Sequence, residues 1–441
     1  MTIELTTACG RLRGNQRETC REFLGVPYAH AERFRYAVPT EQWEGEADAT
    51  KFGPACPQSR AWYEHLDVPE RKFYHREFRD GMKFEYGEDC LRLNIYTPLQ
   101  ADHCPVIVFF HGGGFNSGAG SESPFDGAAF AQRGVILVTA QYRVGVLGYL
   151  THEDIRNEYG RNGNFGLDDQ RTAVLWVKEH IADFGGDADR ITLLGQSAGA
   201  ISIQYLCLDP QNKDLFQRAV MMSGGGMFPR FALPRRAERT EEYWLQLMKL
   251  AGCRTLDELR KLDAETLFAA VETLKQTRKD NTYNTMPVVD GRLLPAPVPE
   301  LIRSPLPLDY MIGYTNNDMY APVMGYIGHK FARQNDGYVY YFDADAPGDD
   351  NRAFHSSDLR YVFGTLSRSW RPYSAEDERL SRIMTDSVAA FARSGDPNGE
   401  GRPRWERGGK RAMRFSRERI GMCRPEYGTM LKNMLQRGEP K

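Results

Sequence analysis

Long hydrophobic runs are missing from this chain of 441 residues. A helix that spans a bilayer needs about 20 consecutive apolar residues, whereas the longest apolar runs here, 106–110 and 135–140, are only long enough for a strand. The first ten residues also lack the basic and apolar stretches of a secretory signal. The sequence therefore predicts no membrane partner and favours a cytoplasmic location, with secretion as the alternative if a leader has been removed.

An excess of charge of one sign and a regular cysteine pattern are missing as well. The 57 Lys and Arg residues nearly balance the 59 Asp and Glu residues, and the formal charge is −2. Because proteins that neutralise many phosphates carry a basic face, we expect no nucleic-acid partner. The eight cysteines show no CxxC spacing and are too scattered for a disulfide scaffold, so we expect no metal site and mostly reduced thiols.

Short apolar runs alternate with helical patterns along the chain, which predicts a parallel sheet covered by helices on both faces. The predicted strands are residues 106–110, 135–139, 191–194, 308–315 and 338–342. The predicted helices are residues 167–181, 241–250, 256–276 and 375–393. Because strands are predicted on both sides of the helix-rich stretch 235–276, we expect a single α/β domain over residues 1–441, with helices inserted over the sheet.

The strongest chemical signal is Gly195-Gln-Ser-Ala-Gly199, between a predicted strand and a helix-compatible stretch. A strand-to-helix turn this tight strains the serine backbone, requires small neighbours and presents the hydroxyl at a helix N-terminus. The GxSxG pattern alone occurs often by chance as a glycine-rich turn. The strand before it and the helix after it favour Ser197 as a catalytic nucleophile.

A second signal, His111-Gly-Gly-Gly-Phe115, directly follows the predicted strand 106–110. By itself this motif would indicate a flexible loop. Three glycines before a GxSxG serine, however, form the oxyanion-hole pattern of lipases and esterases. We expect the backbone N–H groups of Gly113, Gly114 and Ala198 to be the oxyanion donors.

A serine nucleophile needs a base, and in this type of fold the order along the chain is serine, acid, histidine. Only His329 and His355 follow Ser197. We favour His355, because His329 lies too close along the chain to any suitable acid.

The acid is expected in a loop after a strand. Asp318 meets this condition, because it follows the predicted strand 308–315. Asp290 lies in an Asp-Gly pair typical of an ordinary turn. Asp290, Asp349 and Asp350 stay open as alternatives.

Longer stretches of the chain match the signature motifs of one known protein family. They are residues 23–29, 88–98, 142–148, 163–170, 184–199, 287–291 and 395–398. Together they resemble the type-B carboxylesterase and cholinesterase family, nearest to bacterial para-nitrobenzyl-esterase-like carboxylesterases. The resemblance covers nearly all of the chain. It implies an α/β-hydrolase fold with a large, mostly parallel sheet, a helical cap insertion at roughly 228–285 and a shortened cap segment at roughly 319–337. It also implies a Ser–acid–His triad without a cofactor.

The sequence departs from the family pattern at three points. Asp318 stands where the family usually has Glu, so its loop must approach His355 more closely. Gln196 replaces the Glu that commonly precedes the serine, which weakens the case for cationic substrates. Only 37 positions separate Asp318 from His355, fewer than is usual in the family, and we therefore expect a trimmed lid and an open cleft.

The resemblance also suggests a disulfide and a set of pocket residues. Cys56 and Cys90 occupy positions that are bridged in secreted relatives. Candidates for the substrate pocket, chosen by their position near catalytic motifs or in the aromatic-rich stretch 58–86, are Trp62, Phe73, Tyr74, Phe115, Gln196, Met227, Phe228, Met319 and Tyr320.

Together these patterns predict a carboxylic ester hydrolase that acts through an acyl-enzyme on small to bulky apolar or aromatic esters. The expected partner is a small-molecule ester, and the oligomeric state stays open. Two alternatives stay open: a non-catalytic scaffold or adhesion protein of the same fold, and an acyltransferase or amidase that uses the same site.

Overall fold

The computed structural model describes residues 1–59, 66–226, 233–278, 284–318, 321–425 and Tyr427. The strands in these ranges are β1 (Thr2–Thr7), β2 (Gly10–Gln16), β3 (Arg21–Pro27), β4 (Ala29–His30), β5 (Val38–Pro39), β6 (Glu46–Asp48), β7 (Arg92–Thr97), β8 (Cys104–Phe110), β9 (Ile136–Ala140), β10 (Gly186–Gln196), β11 (Arg218–Met222), β12 (Arg235–Arg236), β13 (Val288–Val289), β14 (Asp309–Thr315), β15 (Tyr338–Phe342), β16 (Ala412–Phe415) and β17 (Ile420–Cys423).

The α-helices in the same ranges are α1 (Pro69–Phe78), α2 (Ala128–Ala131), α3 (Gly145–Tyr149), α4 (Glu153–Tyr159), α5 (Phe165–His180), α6 (Ala198–Leu208), α7 (Glu238–Leu250), α8 (Leu256–Lys261), α9 (Ala264–Thr277), α10 (Val298–Leu301), α11 (Ala321–Gln334), α12 (Leu359–Phe363) and α13 (Ala375–Ser394). Among the described helices, none has the length and apolar character needed to cross a membrane.

One large sheet organises the molecule, with strand order β1-β2-β3-β7-β9-β8-β10-β11-β14-β15-β16-β17 and β6 beside β2. The pairs from β9 through β16 are parallel. The strands β7 and β17 flank this parallel part with antiparallel pairs. The predicted α/β class and mostly parallel sheet are therefore confirmed.

Strand β8 shows why the central strands have unbroken apolar sequences. Val106, Val108 and Phe110 belong to the hydrophobic core on one face of the sheet. Ile107 and Phe109 belong to the core on the other face. Because successive side chains of a strand point to opposite faces, a strand covered on both sides must be apolar at every position.

The helix-rich stretch after β11 differs from its prediction in one respect. The single helix predicted over residues 256–276 is wrong, because the chain forms α8 and α9 with a break at Leu262 and Asp263. The Asp263 carboxylate accepts a hydrogen bond from the Thr266 N–H and so begins a new helix. The shortened segment between β14 and β15 contains α11. The assignment of both segments as cap insertions stays a prediction.

Four parallel strands end at the same edge of the sheet: β8, β10, β14 and β15. In open α/β sheets, ligands bind outside the carboxyl ends of the strands. The loops that follow these four strands carry the oxyanion motif, Ser197, Asp318 and His355, in that order.

Candidate active site

Ser197 lies in a strained turn between β10 and α6, with φ 56° and ψ −123°. A non-glycine residue held in such a conformation costs about 1–3 kcal/mol, which the surrounding structure must supply. The Ser197 N–H donates to the Met222 carbonyl at 2.9 Å and ties the turn to the end of β11. The side chain is partly exposed at the carboxyl edge of the sheet.

The flanking glycines are required by close contacts of the backbone. A Cβ at Gly199 would lie 2.1 Å from the Phe110 carbonyl oxygen. A Cβ at Gly195 would lie 2.7 Å from the carbonyl carbon of Gly199. Both contacts are with main-chain atoms that cannot rotate away. The steric reason inferred for the GxSxG spacing therefore applies in the folded chain.

The glycine-rich loop after β8 lies against the turn that holds Ser197. A Cβ at Gly112 would come within 3.0 Å of the Ser197 Cβ. Gly113 has φ 109°, and its carbonyl accepts from the N–H of Asn116 and of Ser117. Within the described part of the chain, the N–H groups of Gly113 and Gly114 have no hydrogen-bond acceptor. They are free to bind a ligand oxygen.

The Ala198 N–H is the third expected donor. Ala198 is the first residue of α6, and the first N–H groups of a helix have no partner within it. The N-terminus of a helix also favours negative charge. This end of α6 is therefore suited to bind an oxyanion.

Asp318 and His355 are in direct contact. His355 Nδ1 lies 2.6 Å from Asp318 Oδ2, and only 3% of the Asp318 side chain is exposed. Desolvation alone would lower the pKa of His355, but the charge of Asp318 and its hydrogen bond outweigh it and raise that pKa. About a quarter of the imidazole, 28%, stays accessible, so a substrate can reach it.

Backbone pairing brings the shorter acid to the histidine. The Asn317 N–H donates to the Ala353 carbonyl at 2.8 Å, and Asn317 forms an isolated parallel bridge with Phe354. These contacts hold the loop after β14 against the loop that carries His355. They give a physical reason why Asp can reach the imidazole where the family usually has Glu.

The other nitrogen of His355 contacts a side chain from the serine turn. The Gln196 amide nitrogen lies 3.1 Å from His355 Nε2. In the portion of the chain that is described, no hydrogen bond joins the Ser197 hydroxyl to this nitrogen. Catalytic hydrogen bonds are often long or misaligned in the absence of substrate. The sequence predicted a pocket role for Gln196 but not this contact.

A second buried carboxyl group, which was not predicted from the sequence, lies near the histidine. Asp358 is fully buried, and its Oδ2 accepts a hydrogen bond from the Tyr340 hydroxyl at 2.7 Å. Burial raises the pKa of Asp358 to about 6. Its position three residues after His355, in the same motif, was the available signal.

The alternative acids have other roles. Asp290 accepts hydrogen bonds from the backbone N–H groups of Arg292 and Leu294, as expected for an Asp in a turn. Asp349 pairs with the buried Arg371 at 2.8 Å. Asp350 is exposed.

The alternative base also has structural partners. His329 is buried, with Nδ1 2.7 Å from the Gly409 carbonyl oxygen and Nε2 3.2 Å from the Tyr314 hydroxyl. Both of its ring nitrogens therefore form hydrogen bonds within the fold.

Arg371 connects α1 to the loop between β15 and α12. Its side chain is fully buried and pairs with Glu77, the penultimate residue of α1, as well as with Asp349. The guanidinium also lies 5.1 Å from the ring centre of Phe354, the residue before His355. This network positions the histidine loop, and its members are too far apart in sequence for a motif to reveal them.

The structure describes only part of the expected substrate pocket. Phe73 packs edge-on against Phe354 at 5.0 Å, next to His355, and against Tyr74 at 5.4 Å. Phe115 is buried against Tyr149, which favours a packing role. The pocket candidates outside the described residues are Trp62, Met227, Phe228, Met319 and Tyr320.

Cys56 and Cys90 are both buried, free thiols. A hydrogen bond with Cys56, together with burial, raises the pKa of Cys90 well above its usual range. The disulfide inferred from secreted relatives is therefore not formed in this structure. Because the two thiols are neighbours, their pairing under oxidising conditions stays a prediction.

Comparison with known proteins identifies the family of the chain. The sequence profile of the Carboxylesterase family matches residues 2–330 and 320–428. The chain belongs to the carboxylesterase family. The α/β-hydrolase fold is thereby confirmed, and this member is a serine carboxylesterase, an enzyme of carboxylic ester hydrolysis.

Individual relatives match the carboxylesterase over most of its length. The para-nitrobenzyl esterase of Bacillus subtilis (strain 168) is 29% identical and covers 90% of this chain and 91% of its own. Carboxylesterase 5A of Felis catus is 31% identical, with 87% of this chain and 83% of its own covered. The solved structure of a thermophilic PNB esterase superposes with a TM-score of 0.82 at 27% identity, over 98% of this chain and 99% of its own.

Proposed function

We propose that this carboxylesterase hydrolyses esters through Ser197 as nucleophile, His355 as general base and Asp318 as the orienting acid. The observation that carries the proposal is the 2.6 Å contact between His355 Nδ1 and Asp318 Oδ2, at the sheet edge where the serine turn also ends. A carboxylate at Nδ1 keeps the proton there and leaves Nε2 as a base.

The proposed reaction has two steps. In the first, Ser197 Oγ attacks the ester carbonyl carbon while its proton passes to His355 Nε2, and that proton then leaves with the alcohol. In the second, water attacks the acyl-enzyme and gives its proton to the same nitrogen, which returns it to Ser197 as the acid departs. The N–H groups of Gly113, Gly114 and Ala198 are proposed to bind the oxyanion in both steps.

We propose small to bulky apolar or aromatic esters as substrates. Two features support this class. Phe354, the residue before His355, packs against Phe73, and the residue before the nucleophile, Gln196, is uncharged. These features offer apolar contact to the substrate and, at position 196, no negative charge to attract a cationic alcohol.

The test is turnover of para-nitrophenyl acyl esters of graded chain length, together with an aromatic ester and a para-nitroanilide. Replacing Ser197 by Ala should lower kcat by several orders of magnitude, and a fluorophosphonate probe should label the wild type but not this variant. Retained activity or labelling in the variant contradicts the proposal. Faster cleavage of the anilide than of the matching ester would indicate an amidase instead.

A further inference from the structure

The side chain of Gln196 contacts the ring nitrogen of His355 that faces away from Asp318. Its amide nitrogen lies 3.1 Å from His355 Nε2, the nitrogen that must accept the proton of the nucleophile. Gln196 is the last residue of β10, adjacent to Ser197, and is almost fully buried, with 4% exposed. It is therefore held by the same strand that positions the nucleophile.

The amide oxygen of Gln196 also packs closely against the oxyanion loop. A Cβ added at Gly112 would lie 2.7 Å from the Gln196 Oε1. The missing side chain at Gly112, at the start of the oxyanion loop, therefore leaves the space that the amide fills. Packing against Gly112 and contact with His355 leave this side chain little freedom.

The direction of the hydrogen bond follows from the other side of the ring. A neutral imidazole has one nitrogen that donates and one that accepts. His355 Nδ1 faces the carboxylate of Asp318 and so carries the proton. Nε2 is then an acceptor, and the Gln196 N–H group donates to it. A carboxylate at position 196 has no such proton and would instead favour the charged imidazolium.

We propose that Gln196 is a positioning residue for the general base. In the free enzyme its amide donates to His355 Nε2 and holds the neutral ring in the form that is protonated on Nδ1. When an ester binds, the Ser197 hydroxyl replaces the amide at this nitrogen. The amide itself forms no covalent bond and transfers no proton. This inference rests on the proposed function, since it requires His355 to be the base.

Two substitutions distinguish the hydrogen bond donated by Gln196 from the packing of its side chain. Gln196→Met keeps the length of the side chain but removes the donor, and Gln196→Glu replaces it by a charge. Among the described residues, the charged or titratable groups that act on His355 are Asp318 at Nδ1 and the buried Asp358. A glutamate would add a third carboxyl group, at the opposite nitrogen.

The measurement is the pH profile of kcat and kcat/KM, with thermal unfolding to confirm that each variant folds. With Glu, the acidic limb of kcat/KM should move to higher pH by about one unit or more, because a nearby opposite charge stabilises the imidazolium. With Met, the limb should move to higher pH by a smaller amount. Because the contact is made in the free enzyme, kcat/KM should fall about tenfold, whereas kcat should change less than about threefold. If the Glu variant does not fold, the Met variant alone decides.

Gln211→Glu is the matched control. This exposed residue follows α6 at the end opposite Ser197, about 16 Å away for a helix of this length. The same change of charge there should leave the profile unchanged. A shift equal to that of Gln196→Glu would mean that net charge, not the contact, is responsible, and would overturn the inference.

The outcomes for the inference and for the proposed function are distinct. If Ser197→Ala stays active, the proposed function itself fails. If Ser197→Ala is inactive but both Gln196 variants keep the wild-type limb and kcat/KM, only the positioning role is refuted. An equal loss of kcat in both variants without any shift of the limb would show a structural role and would also overturn it.

Discussion

Replacing Asp318 by Asn tests the contact on which the proposed mechanism depends. The substitution keeps the shape of the side chain and an oxygen that can accept from His355 Nδ1, which lies 2.6 Å from Asp318 Oδ2, but removes the negative charge. During catalysis the imidazole becomes positively charged, so the loss falls mainly on the transition state. The acid is buried, and solvent therefore screens the interaction only weakly.

The expected magnitude follows from the separation of the charges. With charge centres about 4.5 Å apart and an effective dielectric constant of about 20, the attraction is about 3.7 kcal/mol. This corresponds to a fall in kcat of about 500-fold. Because Asp318 raises the pKa of His355, its removal should lower that pKa. The neutral base then persists to lower pH, and the acidic limb of kcat/KM should move to lower pH.

The assay is ester hydrolysis between pH 5 and 9, monitored by pH-stat titration. This method does not depend on the ionisation of a chromophore. Asp290→Asn is the matched control, because Asp290 is a partly buried carboxyl group that accepts hydrogen bonds from two backbone N–H groups in a turn. The proposed role of Asp318 is refuted if Asp318→Asn keeps more than a tenth of wild-type kcat with an unmoved acidic limb. A large loss of kcat in Asp290→Asn alone would identify a different acid.

Two further substitutions test the packing and the electrostatics around the site. Gly199→Ala places a Cβ 2.1 Å from the Phe110 carbonyl oxygen, so thermal unfolding should show that the free energy of unfolding falls by more than about 3 kcal/mol. Gly421→Ala is the control, because its Cβ would have no atom within 4 Å, and its free energy of unfolding should stay within about 1 kcal/mol of the wild-type value. For Asp358, burial raises the pKa from 3.8 to about 6, so its stabilising contribution is complete below about pH 4 and is lost as the pH rises through 6. Urea unfolding should therefore show that the free energy of unfolding of Asp358→Asn, relative to that of the wild type, rises by up to about 3 kcal/mol between pH 4 and pH 8. An identical difference at both pH values would contradict this.

Features that depend on short stretches of chain were predictable from the sequence. The apolar run in β8 follows from burial on both faces of the sheet, and the turn at Ser197 follows from glycines two positions before and after it. The helix pattern over residues 256–276 misled, because apolar spacing continued through Asp263 although its carboxylate begins a new helix. A local hydrogen bond there outweighs the periodic pattern.

The acid that contacts His355 could not be identified from the sequence alone. Asp318, Asp290 and Asp349 are all carboxylates after the serine, and the order along the chain admits each of them. In the fold, Asp290 lies in a turn and Asp349 pairs with Arg371, whereas Asp318 reaches His355. The pairing of Asn317 with Ala353 decides this distance, and no pattern within either loop reveals it.

The sequence by itself determined the fold class, the family, the serine turn and the glycine-rich loop, because each is encoded in contiguous residues whose backbone geometry demands them. Only the tertiary structure decided which carboxylate meets His355, that Gln196 contacts its other nitrogen, and that Asp358 is buried nearby. These contacts join residues on separate strands and loops. Their distances are set by the packing of the whole sheet edge, which no local stretch of chain specifies.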